Sequence, residues 1–529
     1  MTNATPTRRK GVGFRSERGP VLAAVMLSTA LVALDSTIIS TAVPSVVHDL
    51  GGFSEFPWLF SIYLLTQAVT VPLYGKFADV FGRRPVMFFG IALFLLGSVL
   101  CGVAWNMMTL IIFRAVQGIG AGAVQPMSMT IVGDLYTVRE RARVQGYVAS
   151  VWGAAAVLGP TLGGVFSQYL SWRWIFFVNL PVGAIAVWML VTHFHEKVMR
   201  RSHRIDFVGS VTLTAGCSLL IVDLLQGGVS WAWMSAPSVL IAAAGSTMFV
   251  VFVVVERRAA EPVVPMWVFS RRTLSGGSLA ALGVGALLIG LGSYVPTYVQ
   301  GVLGTGALVA GFTLAPLNIG WPLAATFSGR LYLRIGFRDT ALIGSGVLIV
   351  GAILFALLPL QAHVWEVAGA AFAVGAGLGL TSSPSLVAVQ SVVTWDRRGV
   401  VTGTYMFCRS LGSAIGAGLF GAIANATLAD RFNHPPAVLA GRLPHGVEAT
   451  SVVLGNHARV EPSVAEFVRV ALYDAAHGVF LALVVVAALV LAALLVMPRR
   501  TAPLTFDSSP VADSAPMQLA EAPDPGRST

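Results

Sequence analysis

Fourteen apolar blocks, each close to 20 residues long, run through this chain and leave few folds open to it. A helix of about 20 apolar residues crosses the roughly 30 Å of hydrocarbon in a bilayer. The blocks cover approximately 19–43, 57–77, 86–104, 108–132, 145–169, 174–193, 207–226, 236–255, 274–297, 307–328, 340–360, 365–389, 401–425 and 475–497. Of the 529 residues, 56% are hydrophobic and only 11% charged, against about 25% charged in a soluble domain. A wet globular surface cannot be built from so few charges, so the expected fold is an all-α polytopic membrane protein. The 56 glycines fit, because small residues let membrane helices approach closely.

The formal charge of +10 does not imply a nucleic-acid partner, because the basic residues sit in short clusters between the blocks. With the N-terminus placed in the cytoplasm, 27 of the 34 Lys and Arg fall in cytoplasmic segments. Five fall outside: Arg173, and Arg431, Arg442, Arg459 and Arg469 in a loop over 426–474. Arg114 and Arg409 lie within spans. A missed or extra span would invert every later loop, so the pattern predicts an even count with both termini cytoplasmic. The basic start leads into an apolar stretch of about 25 residues, longer than a signal-peptide core, and is expected to be a retained first helix. Arginine outnumbers lysine 31 to 3, which together with the Ala and Gly content hints at a GC-rich bacterial genome; the expected location is the inner membrane. Cys101, Cys217 and Cys408 all lie in apolar blocks and offer neither metal spacing nor a disulfide framework.

An internal repeat supports the plan. Gly75-Lys-Phe-Ala-Asp-Val-Phe-Gly-Arg-Arg84 follows the second block and Gly329-Arg-Leu-Tyr-Leu-Arg-Ile-Gly-Phe-Arg338 the tenth, with both glycines and the last arginine matching at an offset of 254. The predicted organisation is a tail (1–18), a six-helix bundle (19–193), an inserted hairpin with linkers (194–273), a second six-helix bundle (274–497) with the external loop 426–474, and a disordered cytoplasmic tail (498–529). Two parallel six-helix repeats place substrate between them near the midplane.

Asp35 is the most informative residue, since a carboxylate at mid-membrane costs about 2.5–3.5 kcal/mol on insertion scales. Either it takes up and releases a proton or contacts substrate, or it is a structural acid bonded to nearby Ser or Thr. Arg114 can pair with a carboxylate or with backbone carbonyls; Arg409 can bind substrate or merely pair. Gln117, Gln125, Asn318 and Arg409 are the polar candidates for a central substrate cavity. Gly75 and Gly82 allow close approach and a tight turn, and Asp79 is expected to face the N-terminus of the third helix and pair with Arg83 or Arg84, as a conformational latch. Gly159, Pro160, Gly163 and Gly164 form a kinked small-residue face expected to seal the outer half between the repeats. Asp223 reads as an interfacial residue or a second cation-sensing acid. No phosphate loop, metal cluster or catalytic triad is evident, so neither an enzyme nor a cofactor is expected.

These stretches together resemble one family. Leu34-Asp-Ser-Thr-Ile-Ile-Ser-Thr-Ala-Val-Pro44 resembles the first-helix signature of the fourteen-span drug–proton antiporters of the major facilitator superfamily. Residues 75–84 are similar to that superfamily's loop between helices 2 and 3, with departures at Phe77, Val80 and Pro85, and with Leu333 replacing the acid in the second repeat. Arg114-Ala-Val-Gln-Gly-Ile-Gly-Ala-Gly122, Gly159-Pro-Thr-Leu-Gly-Gly164 and Trp172-Arg-Trp-Ile-Phe-Phe-Val-Asn-Leu-Pro-Val-Gly183 resemble its fourth-, fifth- and sixth-helix motifs. The resemblance implies proton-driven efflux of hydrophobic or amphipathic compounds by alternating access, with a coupling role for Arg114 and antiport rather than symport from the fifth-helix motif. An exporter of an endogenous lipid or metabolite, with a periplasmic or lipoprotein partner on 426–474, is the alternative. A membrane sensor on the same fold would need an output domain, which the sequence lacks.

Overall fold

The computed structural model describes residues 13–14, 16–51, 57–196, 206–227, 231–232, 234–259, 262–436 and 462–499. The expected N-terminal tail to 12, the linker 197–205, the centre of the 426–474 loop and the tail from 500 lie outside the described residues.

Every one of the fourteen apolar blocks is helical. The first bundle holds α1 (Gly19–Leu50), α2 (Pro57–Phe81), α3 (Arg83–Gly102), α4 (Met107–Leu135), α5 (Val138–Tyr169), the short α6 (Trp174–Phe177) and α7 (Asn179–His193). The hairpin is α8 (Phe207–Gln226) and α9 (Ala236–Glu256), followed by the short α10 (Trp267–Ser270). The second bundle holds α11 (Arg272–Gly301), α12 (Ala307–Thr313), α13 (Ala315–Ile335), α14 (Phe337–Ala356), α15 (Val364–Ser391), α16 (Arg398–Asn433) and α17 (Pro462–Leu495). Among the described residues, twelve helical stretches are long and apolar enough to cross a membrane, with α6 and α7 forming one of them. The two remaining spans, α2 and α13, each contain an internal proline and several polar side chains, which lower their hydropathy.

The repeat is visible in the helix bounds. Shifted by 254, α3 (Arg83–Gly102) falls on α14 (Phe337–Ala356) at both ends. Gly82 (φ 97°) and Gly336 (φ 95°) occupy the turn before each helix in a conformation that only glycine adopts without strain. This is the physical reason the two glycines match in the sequence repeat.

The helices α16 and α17 are longer than the apolar pattern indicated. Residues 426–433 continue α16 and 462–474 begin α17, so much of the expected external loop is helix. Polar helix ends, such as Arg431 paired with Asp474 at 2.5 Å, carry no apolar signal and so escaped the sequence reading.

One apolar core fills the second bundle from Ala280 to Met497. Another joins the first bundle, the hairpin (Leu213, Cys217, Ile221, Phe252) and the sealed end of the second bundle (Leu386, Val389, Val393, Val401, Tyr405, Met406). The two bundles therefore meet along α2–α16 and α5–α13. Gly75 lies so close to α16 that an added Cβ would stand 2.8 Å from the Gly399 carbonyl oxygen and 3.1 Å from Gly403 Cα.

Candidate functional site

Two polar constellations stand out, one inside the first bundle and one where the bundles close. In the first, α1 presents Asp35 and α4 presents Arg114, each 1% exposed. Arg114 donates to the Asp35 carboxylate at 2.6 Å, to Gln117 Oε1 at 2.7 Å and to the Leu59 carbonyl at 3.2 Å, and its guanidinium lies 4.2 Å from the Tyr63 ring centre. Gln117 donates to the other Asp35 oxygen and to Ser98, both at 2.8 Å. Asn179 of α7 donates to Asp35 at 3.3 Å and to Ser98 at 3.2 Å. Glycines allow this density: an added Cβ at Gly97 would come within 2.6 Å of the Gln117 backbone. Of the two sequence readings for Arg114, the carboxylate and a backbone carbonyl are both taken. Both charges are neutralised in place, as a buried pair requires.

Gln117, expected at the wall of a substrate cavity, is instead 0% exposed and fully engaged in this network. Asn179, Ser98 and Tyr63 are the members that sequence reasoning missed. Asn179 lay inside the sixth-helix motif without a role, and its side-chain amide is the only polar group of that motif pointing at a carboxylate of the interior.

The other three cavity candidates differ. Asn318 is half-buried on α13, donates to the Leu314 carbonyl at 3.3 Å and packs against Gly153 of α5. Gln125 is 8% exposed on α4, and Arg409 is half-buried on α16.

The second constellation seals one end of the molecule. Asp79, in the last turn of α2, accepts hydrogen bonds from the backbone N–H groups of Gly399 at 2.9 Å and Val400 at 2.7 Å, the first residues of α16. The acid thus faces the positive end of a helix, as expected, but the helix belongs to the opposite bundle rather than being α3. The α2–α16 crossing at Gly75, which no local pattern reveals, brings them together. Asp79 pairs with Arg83 at 3.0 Å. Arg83, 1% exposed, also pairs with Asp134 of α4 at 3.0 Å, donates to the Trp395 carbonyl and lies 3.8 Å from the Trp395 ring centre. Arg84 does not join the pair; it donates to the Val191 carbonyl at 3.1 Å. Glu196 accepts from the Arg83 N–H at 3.0 Å and the Arg84 N–H at 2.8 Å, capping α3. Burial holds its carboxyl above the ordinary value despite these donors. Across the bundles, Arg398 pairs with Asp134 at 2.9 Å, Gln390 donates to the Met129 carbonyl at 3.2 Å, and Tyr332 donates to the Val138 carbonyl. Asp134, Glu196, Trp395 and Arg398 were counted in the sequence only as topology signals or not at all.

The fifth-helix motif makes a different contact from the one expected. Gly159 packs on α1 of its own bundle, where an added Cβ would stand 2.1 Å from Thr37 Oγ1, while nothing lies within 4 Å of such an atom at Gly164. Thr37 donates to the Ala155 carbonyl at 3.0 Å, one turn before Gly159. In this state the motif joins α1 to α5, α13 of the other bundle covers α5 nearer its start, at Gly146 and Gly153, and the space at Gly164 is open. Asp223 accepts from Ser238 at 2.8 Å and Trp231 at 3.3 Å, tying the hairpin's turn together. Among the described residues, no group of three or more His, Cys, Asp or Glu could hold a metal ion.

Two matched helical bundles, a charge-sealed end and a buried acid in the first bundle are what the comparisons meet. The family model described as Major Facilitator Superfamily matches residues 25–417. The chain belongs to this superfamily. Its members are transporters, so the protein is a multi-pass membrane transporter and not an enzyme. Multidrug resistance protein 3 of Bacillus subtilis is 33% identical over 416 residues, covering 78% of this chain and 81% of that protein. Multidrug transporter protein MdtP of the same organism is 35% identical over 414 residues, covering 78% and 76%. The crystal structure of the human organic anion transporter MFSD10 superposes with a TM-score of 0.58 at 16% identity, covering 89% of this chain and 99% of that one, which supports the fold alone.

Proposed function

We propose that this superfamily member exports hydrophobic or amphipathic compounds across the bacterial inner membrane, in exchange for protons that enter by way of Asp35. The observation that carries the reading is the Asp35–Arg114–Gln117–Asn179 network. Among the described residues of α1–α7, Asp35 is the only carboxylate away from the helix ends, and it is tied to α4 and α7 through side chains that can re-pair when it is protonated. A proton on Asp35 cancels its charge, releases Arg114 and loosens α1 against α4 and α7. Inward movement of one charge through 100 mV supplies about 2.3 kcal/mol, enough to shift a two-state equilibrium substantially. The relatives named as multidrug transporters support the substrate class.

With both termini cytoplasmic, the sealed end is the cytoplasmic one and this state faces outward. Opening inward then breaks the Asp79–α16 cap and the Arg83 and Arg398 pairs together. The test is a panel of fluorescent drugs in inverted membrane vesicles with an imposed pH difference. Energy-dependent accumulation that collapses on adding an uncoupler supports the reading. Accumulation indifferent to the uncoupler contradicts proton coupling, and no accumulation of any compound contradicts export.

A further inference from the structure

The interior of the spans carries an uneven charge. Asp35 and Arg114 cancel each other at 2.6 Å. Arg409 has no such partner: among the described residues it forms neither a hydrogen bond nor an ion pair through its side chain, and its guanidinium keeps part of its surface accessible. It stands eleven residues into α16 from Arg398, about 16 Å from the sealed end at 1.5 Å per residue, which is near mid-membrane.

Its surroundings are built around it. The Arg409 backbone presses on α11, where an added Cβ at Gly285 would stand 1.9 Å from the Arg409 carbonyl oxygen, and Ser413 donates to the Gly285 carbonyl at 3.0 Å. One turn toward the sealed end, Tyr405 donates to the Ser382 carbonyl of α15 at 3.3 Å and is 3% exposed, which fixes α16 against α15 there. The backbone is thus fixed while the head group is left without a bond. On α4, in the opposite bundle, Gln125 also makes no hydrogen bond among the described residues and keeps 8% of its surface exposed.

A guanidinium cannot shed its charge in a protein, so it holds a full positive charge here and offers five donors in a planar fork. In surroundings of low polarity it attracts an anion with two oxygens and repels a cation. We infer that Arg409 makes transport selective for compounds carrying a carboxylate, sulfonate or phosphate group on an apolar body, which Arg409 binds as their counter-ion. The inference rests on the export reading and narrows its substrate class: an amphipathic anion is preferred to a lipophilic cation.

Three aromatic probes separate the cases in inverted vesicles holding the full chain: anilinonaphthalene sulfonate, its neutral analogue phenylnaphthylamine, and ethidium as the cation. The wild-type protein is expected to accumulate the sulfonate in preference to both others. Arg409→Gln is expected to lower the ratio of sulfonate to neutral transport by about tenfold or more, the loss of one charge-assisted pair, and Arg409→Lys to restore part of it. The ratio is read within one preparation, so a low yield of either variant leaves it interpretable, and the wild-type preference is measured with no variant at all. Ethidium or phenylnaphthylamine transport without sulfonate transport overturns the inference while export stands. An unchanged ratio in Arg409→Gln overturns the role of Arg409. Transport of none of the three contradicts the export reading and the inference with it.

Discussion

Glycine does opposite things at two places in one motif, and the difference is testable residue by residue. Gly159 has Thr37 within 2.1 Å of its missing Cβ, whereas Gly164 has nothing within 4 Å. Gly159→Ala therefore overpacks the α1–α5 contact and is expected to cost about 1–3 kcal/mol, read as a lower melting temperature in detergent. Gly164→Ala is expected to leave melting unchanged in this state yet slow transport, because the open space at Gly164 is where the bundles close when the other end opens. Equal melting for the two variants would contradict the packing described. Asp35 and Arg114 stood out in the sequence because charge inside an apolar block is rare. Asn179 and Ser98 did not, since small polar residues are common in such blocks and only the fold brings them to Asp35.

At the scale of helices, the Asp79 carboxylate is a cap for α16 supplied by α2. Asp79→Asn keeps the volume but removes the charge that faces Arg83 and the α16 N-terminus. Loss of such a charge-assisted contact costs about 1.5–3 kcal/mol, so the sealed end should open more often. In a background lacking the three native cysteines, Thr402→Cys reports this, because Thr402 is 0% exposed and receives a bond from Gln390, which itself bridges to Met129. Thiol labelling from the cytoplasmic side should rise at least about fivefold in Asp79→Asn. Labelling that does not change would remove Asp79 from the latch. The motif residues were legible in the sequence, as was the helix turn at Gly82. Their partner was not, because Gly399 is 320 residues away from Asp79 and no local pattern records the crossing.

For the whole molecule, the apolar blocks and the repeat announced the two bundles and the hairpin, and the structure places a helix on each block. What they could not announce is where helices outrun the membrane, as α16 does to Asn433 and α17 from Pro462. Topology is a matter of charge: a reporter fused after Arg500 is expected to be active in the cytoplasm, and one inserted near Gly441 outside. The reverse would turn the sealed end outward. Coupling through Asp35 is the central claim, and its test must respect the ion pair. Asp35→Asn alone leaves Arg114 buried and uncompensated, which is expected to cost about 3–5 kcal/mol, so the double variant Asp35→Asn/Arg114→Gln is needed to restore neutrality. The measurement is uptake of a transported fluorescent compound into inverted vesicles across an imposed pH step, at matched protein levels on blots. The account predicts that the double variant still equilibrates the compound but no longer concentrates it in response to the pH step, while Asp35→Glu concentrates it in part. Full proton-driven accumulation by the double variant would contradict it.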